Sequence, residues 1–123
     1  MVPSALIAGS LLAAAGVALG AFGAHALRSV LSPAALEWWH TAVQYQMWHA
    51  LALIGLGALR LSGLGLALAL MGTGTILFSG SLYLLALTDL HWLGMITPLG
   101  GLFMMAGWLI AAWRLRTLGR SPD

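Results

Sequence analysis

The sequence predicts an all-α integral membrane protein, a four-helix bundle forming a single domain over all 123 residues. Three observations predict it. Hydrophobic residues make up 61% of the chain and charged residues 7%, against about 25% charged in an average soluble domain, too few to solvate a globule of this size. Four apolar runs follow one another, separated by short polar breaks around Arg28, Arg60 and Thr88–His91. An α-helix needs roughly 20 apolar residues to cross a hydrocarbon core of about 30 Å, and the runs match that length. Helices over about 4–27, about 33–60, about 65–87 and about 93–115 are expected.

The first run, Ser4 to Leu27, carries no charge. It exceeds the roughly 7–15 residues of a secretory apolar region and no Lys or Arg precedes it, so a retained helix is expected instead of a cleaved leader. Gly9, Ala13, Gly16, Gly20 and Gly23 fall on one helical face. Small residues in a stripe let a second helix approach closely, which makes Gly9, Gly16, Gly20 and Gly23 the expected packing positions.

Ser32-Pro33 has the form of a helix start, with serine as N-cap and proline at the first helical position. The helix that follows opens with the chain's densest polar stretch, from Glu37 to His49. At 100° per residue, Glu37, Thr41, Gln44 and Trp48 share a face, with His40 on one flank, Tyr45 and His49 on the other, and Gln46 opposite. From Pro33 to Leu59 it would span about 40 Å, so its first turns are expected in the interface, where Trp38 and Trp39 suit an aromatic belt. Polar side chains within a bilayer face a bundle interior or a cavity, so the polar face is expected to point inward.

In the third run, Thr75, Ser79 and Tyr83 recur at i+4 spacing. Measured from Trp38 and Asp89, Gln44 and Tyr83 both lie about 9 Å deep, and His49 and Ser79 about 15 Å. The expected candidate cluster is therefore His25, Glu37, His40, Gln44, Tyr45, His49, Ser79, Ser81 and Tyr83, with a neutral His49 bonded to Ser79 or Ser81 and Gln44 beside Tyr83. Two starts fit the fourth helix: Thr97-Pro98, or a point near Leu90 with a kink at Pro98.

Composition restricts the chemistry. The net charge of +2 arises from five arginines and no lysine against three acidic residues, which gives no basis for nucleic-acid binding. The lack of cysteine rules out thiol nucleophiles, disulfides, iron–sulfur clusters and covalently attached haem. His25, His40 and His91 come from three segments at one level, but no H-x-x-x-H spacing supports a metal, and His49 has no histidine partner at its depth for haem. No metal or other cofactor is expected. A minimal ion-coupled transporter would place an acid inside a helix, and Glu37 sits at an interface. Ser79 and Ser81 lie in a helical FSGS segment, not a strand–turn–helix elbow, so no enzymatic activity is expected.

With four crossings, both termini share a side with Arg60, Arg114, Arg116 and Arg120, while Arg28 stands alone on the other. The positive-inside rule then puts both termini in the cytoplasm.

The segments Gly20-Ala-Phe-Gly-Ala-His-Ala-Leu27, Tyr45-Gln46 with His49-Ala-Leu51, Leu77-Phe-Ser-Gly-Ser-Leu-Tyr-Leu-Leu-Ala-Leu87, Thr97-Pro-Leu-Gly-Gly101 and Gly107-Trp108 together resemble the DUF423 family of small membrane proteins. The resemblance touches all four helices. It implies a four-helix inner-membrane protein and supplies no reaction; the arginine-only positive charge favours a bacterial membrane. The expected role is a small non-enzymatic accessory or structural component, in contact with the lipid bilayer and packing against itself or a larger membrane complex. The alternative is a small transporter or ligand-binding protein using the outer polar cluster and His49, for which a water-filled cavity reaching His49 would be diagnostic.

Overall fold

The computed structural model describes residues 2–118. It contains helices α1 (Val2–His25), α2 (Pro33–Ala58), α3 (Gly65–Thr88) and α4 (Thr97–Leu118), with short 3-10 turns at Ser62–Leu64 and His91–Met95. Local chemistry accounts for the ends. The Ser32 hydroxyl accepts a hydrogen bond from the Ala35 amide at 3.1 Å, and Pro33 occupies the first turn, where its missing N–H costs nothing. α2 closes at Leu59, and Arg60 turns the chain with a left-handed φ of 57°. α3 closes in the same way at Asp89, whose amide bonds the Leu85 carbonyl at 2.8 Å.

The fourth helix begins at Thr97, later than the expected position near 93, and residues His91–Met95 form a separate 3-10 turn. Pro98 is the reason: it has no amide to donate, so it is tolerated in a first turn but would break a helix running through it. The Thr97 hydroxyl lies 2.6 Å from that of Ser81, which ties this start to α3.

α1, α3 and α4 are each long and apolar enough to cross a membrane. α2 falls short on composition because it carries Glu37, His40, Gln44, Gln46 and His49. It nevertheless packs antiparallel between α1 and α3 along its length. Its 26 residues make a helix of about 39 Å, comparable in length to its neighbours. α4 packs on α3, and α1 scarcely touches α3.

Two seams of close backbone contact hold this arrangement. Along the first, Gly9 lies against Ala50 and Ile54, Gly16 against Met47, Gly20 against Val43 and Gly23 beneath the Trp39 indole. A Cβ added at Gly9 would sit 2.7 Å from the Ala50 carbonyl oxygen, and one at Gly23 2.5 Å from the indole. The second seam joins α3 to α4 and uses Gly74, Gly100 and Gly107. A Cβ at Gly100 would come within 2.5 Å of the Phe78 amide nitrogen, and one at Gly107 within 2.8 Å of the Ala67 carbonyl oxygen. Lipid tails are as apolar as leucine, so helices in a bilayer associate through this kind of packing.

The seams yield a ranked expectation. Gly100→Ala must force backbones apart and should cost about 1–3 kcal/mol, as overpacking does. Gly20→Ala meets only Val43 Cγ1, at 3.3 Å, and should cost less. Gly55→Ala meets nothing within 4 Å and should stabilise α2 by about 0.5–1 kcal/mol through helix propensity. Reversible unfolding in mixed detergent micelles measures the order; equal effects at Gly100 and Gly55 would refute the second seam.

Candidate functional site

The buried face of α2 runs Ala35, Trp39, Ala42, Gln46, His49, Ala50, Leu53 and Gly57. It is mainly a face of small residues, and three long polar or amphipathic side chains interrupt it. Each of the three finds a partner. The Trp39 indole donates to the Leu19 carbonyl of α1 at 2.8 Å and meets the Tyr83 ring edge-on, with centroids 4.7 Å apart. Gln46 donates from Nε2 to the Leu12 carbonyl at 2.8 Å and accepts at Oε1 from the Tyr83 hydroxyl at 2.6 Å. One glutamine thus joins α1, α2 and α3.

His49 belongs to a second group. Its Nδ1 lies 2.8 Å from the Tyr45 carbonyl one turn earlier, and its Nε2 lies 2.9 Å from the Trp108 indole nitrogen on α4. A carbonyl only accepts and an indole N–H only donates. The two partners therefore assign His49 the neutral tautomer with the proton on Nδ1, leaving Nε2 to accept. The Tyr45 ring stacks parallel to the imidazole at 6.2 Å and packs on Phe78 at 4.5 Å. Other contacts on α3 follow the same rule: the Ser79 hydroxyl donates to the Ala42 carbonyl of α2 at 2.7 Å, and Thr75 to the Met71 carbonyl at 2.7 Å. Among the described residues, no buried side-chain nitrogen or oxygen lacks a partner.

Three expectations need correction. His49 does not bond Ser79 or Ser81: Ser79 is engaged with Ala42, and Ser81 with the Phe78 carbonyl and Thr97. Gln44 does not meet Tyr83; it is exposed, and Gln46 takes that place. The face containing Glu37, Gln44 and Trp48 points outward, Trp48 being 55% exposed, whereas Gln46, expected opposite the polar face, is 4% exposed. The reason is steric. Close packing selects the smallest side chains for the interface, so Ala42, Ala50 and Gly57 turn α2 and carry Gln46 inward with them. The register also differs from the depth count. Trp39 meets Tyr83 edge-on and Ser79 bonds Ala42, so Asp89 extends well beyond Trp38, and His49 lies deeper than Ser79.

The remaining candidates do not converge. His25, Glu37 and His40 are each exposed. His91 Nε2 lies 3.1 Å from Asp89, in a solvent-facing pair whose kind contributes little. No group of three His, Asp or Glu side chains sits at metal-binding spacing among the described residues. His49 and Tyr45 line a groove of about 600 Å³ between α2 and α4, walled otherwise by apolar side chains such as Phe78, Met104 and Trp108. Sequence reasoning missed Trp39, Gln46, Trp108 and the α3–α4 glycines. The last were detectable, because Gly100 and Gly107 stand two turns apart on one face.

A double-mutant cycle between Gln46→Leu and Tyr83→Phe is expected to give a coupling of about 0.6 kcal/mol or more, within the ceiling of about 2 for membrane hydrogen bonds. A cycle between His49→Ala and Ser79→Ala, which share no partner, should be additive. Unfolding in detergent reads both, and the reverse result would contradict the observed pairing.

Comparison with known proteins places this arrangement. A family model described as a protein of unknown function, DUF423, matches residues 19–101. The UPF0382 membrane protein YwdK of Bacillus subtilis (strain 168) is 46% identical over 110 residues, covering 85% of this chain and 89% of that protein. The UPF0382 membrane protein SH2409 of Staphylococcus haemolyticus is 45% identical over 110 residues, with 85% and 88% covered. The UPF0382 inner membrane protein YgdD of Escherichia coli K12 is 38% identical over 114 residues, with 87% of each covered. No solved structure matches the chain. The matched region runs from the second half of α1 to the start of α4 and includes Gln46, His49 and Tyr83, and the chain belongs to the DUF423 family of membrane proteins.

Proposed function

We propose that this DUF423 protein is a non-enzymatic structural or accessory component of a bacterial inner membrane, with both termini in the cytoplasm. The observation that carries the reading is the internal satisfaction of the core. Every buried polar side chain among the described residues is bonded within the protein, and most bonds go to backbone carbonyls of the same or a neighbouring helix. Side chains that carry protons or substrate through a membrane face a water-filled cavity or path. His49 has both ring nitrogens occupied, and the groove beside it is lined by hydrocarbon and aromatic side chains. The arginine distribution supports the orientation: Arg60, Arg114 and Arg116 share one end with the start of α1 and the close of α4, and Arg28 stands at the other. Arg120, which adds to that count, lies outside the described residues.

Two experiments test the reading. Reconstituted in liposomes, the protein should leave an imposed proton gradient decaying at the rate of empty vesicles, and in mild detergent it should retain a second copy or a larger partner. A lone monomer that dissipates the gradient, with the activity lost in His49→Ala, would overturn the structural role. For orientation, the natural lack of cysteine allows single-site labelling. Ser29→Cys should react with an impermeant maleimide from outside, and Ser62→Cys should react only after lysis; the opposite pattern inverts the topology.

A further inference from the structure

At the arginine-bearing end, α1 and α3 stand apart, and α2 floors an open-sided groove of about 1030 Å³ between them. This matches the upper end of ligand-binding cavities, which run to about 1,000 Å³. Leu53 and Leu56 form the floor, with Ala8 on one wall and Ala69 and Gly72 on the other. The space is open: a Cβ added at Gly65 meets nothing within 4 Å, and one at Gly72 only Leu53 Cδ1 at 3.9 Å.

The mouth differs in chemistry from the trough. Arg60 and Ser62 line it. No carboxylate among the described residues pairs with the Arg60 guanidinium, and Glu37 and Asp89 lie at the opposite end of the bundle. Arg60 also holds a left-handed backbone conformation, φ 57°, that glycine adopts without penalty after a helix. A long cationic side chain therefore stands at the rim in a place where local geometry would favour none.

The dimensions complete the case. From Gly65 to Ile76 the α3 wall extends about 16 Å, half of a hydrocarbon core of about 30 Å. The groove is thus one leaflet deep, with a cation that no described carboxylate pairs at headgroup level and an apolar trough below. We propose that it binds one anionic phospholipid, with the phosphate at Arg60 and acyl chain along Leu53, Leu56 and Gly72. Free phosphate would leave the trough empty, and a neutral tail would leave Arg60 unpaired. This site is independent of the scaffold role.

Native mass spectrometry of the full chain released from mild detergent tests it, with phosphatidylglycerol and phosphatidylcholine of equal chain length as probes. Phosphatidylglycerol should be retained preferentially. Arg60→Gly should weaken its binding about fivefold, the effect of one arginine at an anionic surface, while leaving the lipid-free melting temperature unchanged or raised. Gly72→Leu should fill the trough and reduce retention of both lipids. Arg116→Gln, exposed at the same end but outside the groove, should have no effect. Equal retention of the two lipids, an equal loss with Arg116→Gln, or the same thermal stabilisation by inorganic phosphate alone would each overturn the proposal.

Discussion

Everything in this bundle depends on how closely its helix backbones approach. Within hydrocarbon there is no water to expel between helices, so association rests on van der Waals contact and interhelical hydrogen bonds. The chain meets that constraint with glycine. Gly9, Gly16 and Gly23 admit α2 to α1, and Gly74, Gly100 and Gly107 admit α4 to α3. Because α1 scarcely touches α3, the two seams act separately, and α2 with α3 forms the shared middle.

Close approach also sets the hydrogen bonding. A helical carbonyl already accepts one bond but keeps a second lone pair, reachable from a neighbouring helix only where the backbones come close. Trp39 reaches Leu19, Gln46 reaches Leu12 and Ser79 reaches Ala42 by this route. Individually such bonds are modest in membranes, about 0.6 kcal/mol on average. Their common consequence is register, since each donor fits one carbonyl and a slip of one residue would leave it unpaired in hydrocarbon. The Gln46–Tyr83 bond extends this lock across three helices.

The two ends of the molecule are chemically unlike. One carries His25, Glu37, His40, Asp89 and His91, all exposed and, apart from the Asp89–His91 pair, scattered. The other carries Arg60, Arg114 and Arg116 beside the wider groove. Between these two unlike ends, the buried polar side chains of the described residues are partnered within the protein.

The number of helices, their approximate ends and the α1 seam were legible from sequence, because each rests on a local signal: apolar run length, the Ser32-Pro33 cap, the small-residue period. The start of α4 was legible as one of two possibilities, and Pro98 in its first turn resolves it. The inward face of α2 was not. A helical wheel ranks faces by polarity, whereas this bundle chose by size, burying Ala42, Ala50 and Gly57 and sending Glu37 and Gln44 outward. Nor was the pairing of His49 with Trp108, two helices away in the chain. Local sequence determines where a membrane helix begins and ends, since its backbone bonds are internal to it. Only tertiary structure decides its rotation and register, because those follow from the shape of neighbours distant along the chain.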